Sequence, residues 1–522
     1  MSQELEIDLN AVEINPDFQR ALYLMENTSR HVFVTGKAGT GKSTLLQYFK
    51  HTTSKSVVFL APTGVAAINI GGETIHSFFM FRPDITPDRV KRVPERKREI
   101  YNIIETIVID EISMVRADLL DCVDVFLRKN REIDLPFGGV QMIFIGDLYQ
   151  LPPVVKGEEK KIFKEIYKSA FFFDAKVMNE IMFEFVELKK VYRQSDEDFI
   201  DLLNAIRNGT VEDEHIEKLN SRVGAEIDGQ GIVVYLTTTN EKARRINREN
   251  LEKLRGKLYE FPAYIDGEFD RGSYPADPVL HIKKGAQIMM LNNDRDRYWV
   301  NGTMGIVRGV RYSRRLEAHK IIVELDNGYE VEVLPYTWEI FRYRFDRDMG
   351  KITTETIGSF TQYPMKLAWA VTIHKSQGKT FDNVIIDIGR GAFSAGQVYV
   401  ALSRCTSFEG ISLVKPIKKK NIFVHYRCVK FLTSYQYMLS EKRMPMEEKI
   451  RFIEKAIKQG KNLEIEYLKP GDERSVRVVT PEKVVKERYR GVEFMALKGY
   501  CHLRKQNRTF RIDRILRMRI LS

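Results

Sequence analysis

The sequence predicts an α/β protein of two parallel-sheet lobes, with an all-β insertion in the second lobe and a small β-barrel at the C-terminus. Three observations carry that prediction. Short apolar, β-branched runs at 31–35, 57–60, 107–109 and 142–145 each lead into a loop and then a helical pattern. This is the pattern of a buried parallel sheet with crossover helices. A second set begins with IVVYLTT (232–238), continues with VIIDIG (384–389) and ends with ISLVKPI (411–417). Between them, from about 297 to 362, the pattern changes to alternating strands such as KIIVELDNGYEVEVL (320–334), folded at the Asn327 and Gly328 turn. Beyond 440, MEEKIRFIEKAIKQG (446–460) sets Ile450, Ile453 and Ile457 at helical spacing and stops at Gly460. The strands from 463 to 515 then read as a twisted barrel. The expected division is 1–188, 189–440 and 441–522, with a small wedge inserted near 64–80.

Composition bounds the function. With 43% hydrophobic and 30% charged residues, and no apolar run near the roughly 18 residues that span a bilayer, no membrane partner is expected. The acidic start, MSQELEIDLN, lacks an apolar signal region, so the expected compartment is the cytoplasm. Four cysteines without a C-x-x-C pair speak against a disulfide framework and a zinc site. The formal charge is +12, and the last 82 residues hold 22 Lys/Arg against 12 Asp/Glu. Nucleic acid is the acidic partner such a surface suits, although a solvated basic face reads the same way.

The chemistry begins where HVFVT runs into GKAGTGKS (36–43) and then TLLQYF, a phosphate loop in its strand-loop-helix setting. Gly36, Gly39 and Gly41, with Ala38 and Thr40 between them and Thr44 after, let backbone N–H groups converge on phosphate oxygens. Lys42 reaches the β- and γ-phosphates of ATP, and Ser43 offers its hydroxyl to Mg²⁺. IVIDEISM (107–114) supplies Asp110 for the metal's water shell and Glu111 to polarise the attacking water. IGDLYQLPPV (145–154) brings Asp147 and Gln150 to the end of a third strand, where Gln150 can read the γ-phosphate.

These segments, with APTGVAA (61–67), GGETIHSFF (71–79) and GDLYQLPPV, resemble the petite-integration-frequency (PIF) family of superfamily 1 helicases and its RecD-like relatives. YRQ (192–194), LTTTNEKARRIN (236–247), WVNGTMGIV (299–307), WAVTIHKSQGKTFD (369–382) and VYVALSRCTS (398–407) continue the resemblance to about 417. It implies two RecA-like P-loop lobes with ATP and Mg²⁺ in the cleft, and an SH3-like insertion in the second lobe. It implies that Gln19 reads adenine, that Arg193 and Arg404 reach the γ-phosphate, and that Gly378 lies in a nucleotide-sensing loop. Thr63, Thr74, His76 and Phe78 of lobe one, and Thr372, His374, Lys375 and Ser376 of lobe two, match segments that contact the DNA strand. The resemblance further implies 5′-to-3′ unwinding of tailed or forked duplex DNA from single-stranded DNA, by a monomer, in DNA repair and telomere maintenance. The C-terminal strands resemble the WYL domain, most clearly at GYCHLRKQNRTFRIDRI (499–515), with Met495, Ala496 and Leu497 in place of the naming tripeptide. Arg504, Arg508, Arg511 and Arg514 match that motif's basic positions and are the expected phosphate contacts there; the alternative is that some brace the barrel around Phe510 and Ile512. A DNA-stimulated ATPase that remodels proteins and an RNA-preferring motor are the competing readings.

Overall fold

Six parallel strands form the sheet of lobe one, in the order Glu73–Thr74, Val57–Ala61, Thr106–Ile109, Gln141–Ile145, His31–Gly36 and Phe183–Leu188. The structure is a computed structural model that describes residues 12–521, except 156–158, 195, 228–230, 297, 390, 392–393, 470 and 490. The acidic N-terminal stretch therefore lies outside the described residues. Helices cover both faces of the central strands, which is why these read as unbroken apolar runs. The helix Pro16–Asn27, capped by the Asn15 side chain, buries Phe18, Ala21, Leu24 and Met25. They share a core with Leu45, Leu46 and Phe49 of the helix Lys42–Thr52.

Lobe two holds a second parallel sheet, ordered Ala370–Thr372, Val233–Thr237, Asn383–Asp387, Ile411–Leu413. Its all-β insertion is larger than the expected 297–362. Strands begin at Tyr259–Pro262 and run to Met365–Leu367, in five-, three- and two-stranded antiparallel sheets. The Asn327 and Gly328 turn joins Ala318–Leu325 to Glu330–Val333 with Gly328 at φ 84°, as expected. The long pair Tyr336–Asp346 and Lys351–Gln362 reaches lobe one. There the Tyr343 N–H donates to the Glu73 carboxylate at 3.2 Å and the Phe59 N–H donates to the Tyr343 hydroxyl at 3.2 Å. Residues 64–80 carry the short helices Gly64–Asn69 and Ile75–Phe78 around the edge strand Glu73–Thr74, so the stretch expected as a wedge is part of the sheet's edge.

A second compact unit comprises Phe423–Ser522 together with Asn204–Glu212. It is wider than 441–522, because the helix Tyr426–Arg443 belongs to it. The helix Met446–Lys458 ends at Gly460, whose φ is 61°. Five antiparallel strands follow, ordered Gln506–Arg511, Val492–Cys501, Arg474–Tyr489, Leu463–Leu468, Ile515–Ile520. Ile453, Leu463, Val479, Leu497, Phe510 and Ile512 fill their core. Ala496 and Leu497 are fully buried in it, so the altered tripeptide serves packing at two of its three positions.

Candidate functional site

The strand His31–Gly36 delivers the phosphate loop to the carboxyl end of the sheet, between Gln141–Ile145 and Phe183–Leu188. Gly39 and Gly41 hold φ of 78° and 84° there. A Cβ at Gly39 would come within 2.6 Å of the Arg193 Cβ, so both the backbone angle and the close approach require glycine. Lys42 Nζ donates to the Gly36 and Lys37 carbonyls at 2.7 and 2.9 Å, which keeps an ammonium inside the cradle. The Thr40 hydroxyl, buried, closes the loop by donating to the Lys37 carbonyl at 2.9 Å. Ser43 and Thr44 are exposed at the start of the helix. A cleft of about 810 Å³ opens over this loop, lined also by Phe18, Glu111, Gln150, Tyr192, Arg193, Gly378, Thr380 and Arg404.

Glu111 sits just past the strand Thr106–Ile109 in a left-handed conformation, φ 49° and ψ 41°. Such strain costs about 1–3 kcal/mol in a non-glycine residue and is concentrated at functional sites. Burial, and then the Asp110 carboxylate, push the Glu111 pKa up to about 7, against the pull of Lys42 and Arg404. Burial also raises Asp110, which Lys42 offsets in part. The pair thus holds a proton near neutrality that an arriving cation would displace.

Arg193 and Arg404 are the cleft's cations from the far side. Arg404 is 1% exposed and anchored by carbonyls: Nε donates to Val400 at 2.8 Å and Nη1 to Lys379 at 3.2 Å. Arg193 Nη1 donates to the Ser403 carbonyl at 3.1 Å. Neither guanidinium forms an ion pair with a carboxylate among the described residues. Burial, and then repulsion by Arg193, push the Arg404 pKa down to about 9, and burial lowers Arg193. A buried and a half-buried guanidinium that repel one another and face a phosphate loop form a seat for an anion.

The sequence profile of PIF1-like helicases matches residues 18–217 and that of the WYL domain matches 448–520. ATP-dependent DNA helicase Pif1 of Bdellovibrio bacteriovorus is 33% identical over 421 residues, which are 78% of this chain and 89% of that protein. The chain belongs to the PIF1-like helicase family. ATP-dependent DNA helicase PIF1 of Homo sapiens is 36% identical over 394 residues, 73% of this chain and 58% of that protein. This chain therefore spans less than two thirds of the human relative's length. Pif1 from Bacteroides sp in complex with ADP-AlF4 has a TM-score of 0.74 and 38% identity, covering 81% of this chain and 97% of that one. Bacteroides Pif1 bound to ssDNA has a TM-score of 0.59 at 38% identity and the same coverage. A structure of two coordinating Pif1 helicases at forked dsDNA gives 0.58 at 38% identity, covering 81% of this chain and 98% of that one.

Within this PIF1-like frame the expected site residues divide. Ala38 and Gln150 join the groups above in the cleft lining, and Gly378, at φ 78°, lets its loop turn there; Gly36 and Asp110 are outside the lining, Gly36 accepting from Lys42 Nζ and Asp110 preceding Glu111 within reach of the Lys42 charge. Gln19 does not reach the cleft lining. The Asn15 cap turns Phe18 inward, and Gln19, the next residue around the helix, is exposed. Of the residues expected to contact DNA, Thr63 and Thr74 accept the N–H groups of Ala66 and Ser77 at 3.3 and 3.1 Å, capping their helices. Each keeps its hydroxyl proton to donate to a phosphate. Thr63, His374 and Lys375 are exposed, Thr74 and His76 half-buried. Burial lowers the His76 pKa, with Asp118 raising and Arg116 lowering it, which favours the neutral imidazole.

Phe78 is a correction. It is 5% exposed, with its ring edge-on to Phe79 and Tyr101, and cannot stack on a base. Ser376 is another, since it is wholly buried and donates its hydroxyl to the Ile373 carbonyl at 2.8 Å. Thr372 is 4% exposed, and its hydroxyl accepts the Lys375 N–H at 3.3 Å, building the turn that presents its neighbours. In the C-terminal unit Arg504 and Arg508 are exposed, and Arg514 is half-buried. Arg511 braces the barrel, paired with Asp513 at 2.6 Å and lying 4.6 Å over the Phe494 ring.

Two residues escape sequence reasoning. Gln377 Nε2 donates to Glu111 Oε2 at 3.1 Å and to Gln150 Oε1 at 2.7 Å, joining the lobes across the cleft. Tyr399 accepts the Ala38 N–H at 2.9 Å from the same side. Gln377 lies between the buried Ser376 and the cleft-lining Gly378, inside a quoted motif, and that adjacency is the signal that could have found it.

Proposed function

We propose that the chain is an ATP-dependent DNA helicase that moves 5′-to-3′ on single-stranded DNA and opens tailed or forked duplexes. The observation that carries the hydrolytic part is the meeting of two carboxylate-free guanidiniums, Arg193 and Arg404, with the Lys42 cradle and Glu111 in one cleft. The residues fit ATP with Mg²⁺: a loop of convergent N–H groups, the Ser43 hydroxyl, and the paired Asp110 and Glu111 carboxylates beside Lys42. Bound Mg²⁺ supplies charge neutralisation on the phosphates. Glu111 takes the proton of the attacking water, Lys42 and the two arginines offset charge on the transferring group, and Gln150 senses the γ-phosphate. Gln377 supports coupling, because the turn that bonds Glu111 also presents His374 and Lys375 to the strand.

The activity of the relatives, ATP-dependent DNA helicases, and the ssDNA-bound Bacteroides Pif1 support DNA as the substrate. Exposed Arg504 and Arg508 support a C-terminal unit that adds single-strand binding or regulates the motor. The test is strand separation of a 5′-tailed against a 3′-tailed DNA duplex with ATP and Mg²⁺, with Lys42→Ala as control. Unwinding of the 5′-tailed duplex alone, lost in the control, is the expected result. Hydrolysis without separation of either duplex would replace the helicase with a DNA-stimulated remodelling ATPase.

A further inference from the structure

Three lysine amines gather at the junction of the two lobes with little counter-charge. Lys366 lies on the strand Met365–Leu367 of the insertion, and Lys375 and Lys379 bracket the turn that carries Gln377. The charged groups facing Lys366 are Lys379 and Lys375, which repel it, and Asp277. The Lys366 amine forms no hydrogen bond or ion pair among the described residues. Lys379 Nζ donates to Asn301 Oδ1, and Asn301 Nδ2 donates in turn to Asn69 Oδ1 of lobe one at 3.3 Å. The Lys379 stem runs so close to Gly302 that a Cβ there would stand 3.4 Å from Cγ.

A half-buried ammonium without a carboxylate is costly to keep, and a protein of this charge has no shortage of surface on which to place lysines. Burial pushes the Lys366 pKa down to about 7, with the neighbouring lysines adding to the effect, and burial pushes Lys379 down to about 8. Their place in the fold says what would settle them. Asn69 ends the short helix that Thr63 caps, about 9 Å away at 1.5 Å per residue. Through Asn301, Lys379 is joined to the far end of the helix that Thr63 caps, and it follows His374 and Lys375 on the same turn.

We propose that Lys366 and Lys379, with Lys375, form a phosphodiester pocket of the strand track at the lobe junction, and that Asn301 holds Lys379 until a phosphate takes it. This rests on the single-strand reading above. Loading the pocket takes up protons, because amines partly neutral at pH 7–9 become fully charged against a phosphate. Affinity for the strand therefore falls as pH rises from 7 to 9.

The test is anisotropy of a fluorescent oligothymidylate with the full chain, without nucleotide, across salt and across pH 6–9. For Lys366→Gln combined with Lys379→Gln, the expected slope of log affinity on log salt is shallower by about 1.4, at about 0.7 per phosphate. The fall between pH 7 and 9 flattens as well. Lys366→Arg keeps the wild-type salt slope and loses most of the pH dependence, since a guanidinium stays charged. Removing mutually repelling amines leaves the melting temperature at pH 7 unchanged or higher, so weakened binding is not lost folding. A double variant with wild-type slope and pH profile overturns the pocket and leaves the track standing. A wild-type chain that does not bind oligothymidylate overturns both.

Discussion

The nucleotide cleft and the proposed strand track are both built from loops at the carboxyl ends of parallel sheets, but they hold their side chains by different means. In the cleft the backbone does the holding. Carbonyls of their own segments hold Lys42 Nζ and Arg404 Nε, and Gly39, Gly41 and Glu111 take left-handed backbone angles. On the track, exposure is decided from far away. Phe78 is turned inward by Tyr101, 23 residues on, while Thr63 remains outside as the cap of another short helix. Where function and local geometry coincide, a motif names the right residue; where packing intervenes, it names the right segment and sometimes the wrong side chain.

Four measurements can break or sharpen that contrast. Arg404→Ala should lower the DNA-stimulated kcat for ATP by about 10³-fold or more, as loss of an arginine that offsets transition-state charge does. Lys in its place should not rescue, because the carbonyl-anchored fork is lost. Phe78→Ala should act on stability, at about 3–5 kcal/mol for a buried ring by denaturant unfolding, while the folded fraction binds oligothymidylate as before. A specific loss of affinity with stability intact would return Phe78 to the track. The pH profile comes next. Glu111 is raised to about 7 by burial and Asp110, so it is protonated below that value and cannot accept a proton. ATP kcat/KM should then fall about tenfold per unit below pH 7 and level off above it, and Glu111→Gln should be flat. Smallest is the pair at the turn. Lys375→Ala should make the salt dependence of strand binding shallower by about 0.7, and Ser376→Ala should not change it.

Most of the fold's centre is legible in the sequence because the central strands are buried on both faces and read as apolar runs. What escapes is non-local. Glu73–Thr74 is two residues long and exists only because Val57–Ala61 leaves an edge beside it. Phe183–Leu188 pairs with a strand 152 residues earlier, as Phe183 opposite His31 records. Tyr264–Gly267 is exposed throughout and finds its partner at 358–361, so neither periodicity nor a nearby turn announces it. The cleft shows the same limit at Gln377, whose partners stand 266 and 227 residues away. Gln19 lies outside the cleft lining for a local reason, since one step along a helix turns a side chain by about 100°.

The stitch at Asn204–Glu212 has a consequence for how such proteins are inherited and cut. This segment comes from the middle of the chain yet belongs with Phe423–Ser522, where Asn208 donates to the Asp472 carbonyl at 3.4 Å and Gly209 leaves no room beside Val424 for a Cβ. A cut after Ile422 would strip Ile206 and Val211, 2% and 4% exposed, of part of their packing and present them to water. The C-terminal unit is thus not a bead that recombination can add or drop at one seam. A lineage that loses it must also rewrite nine residues in the middle of the motor's own sequence.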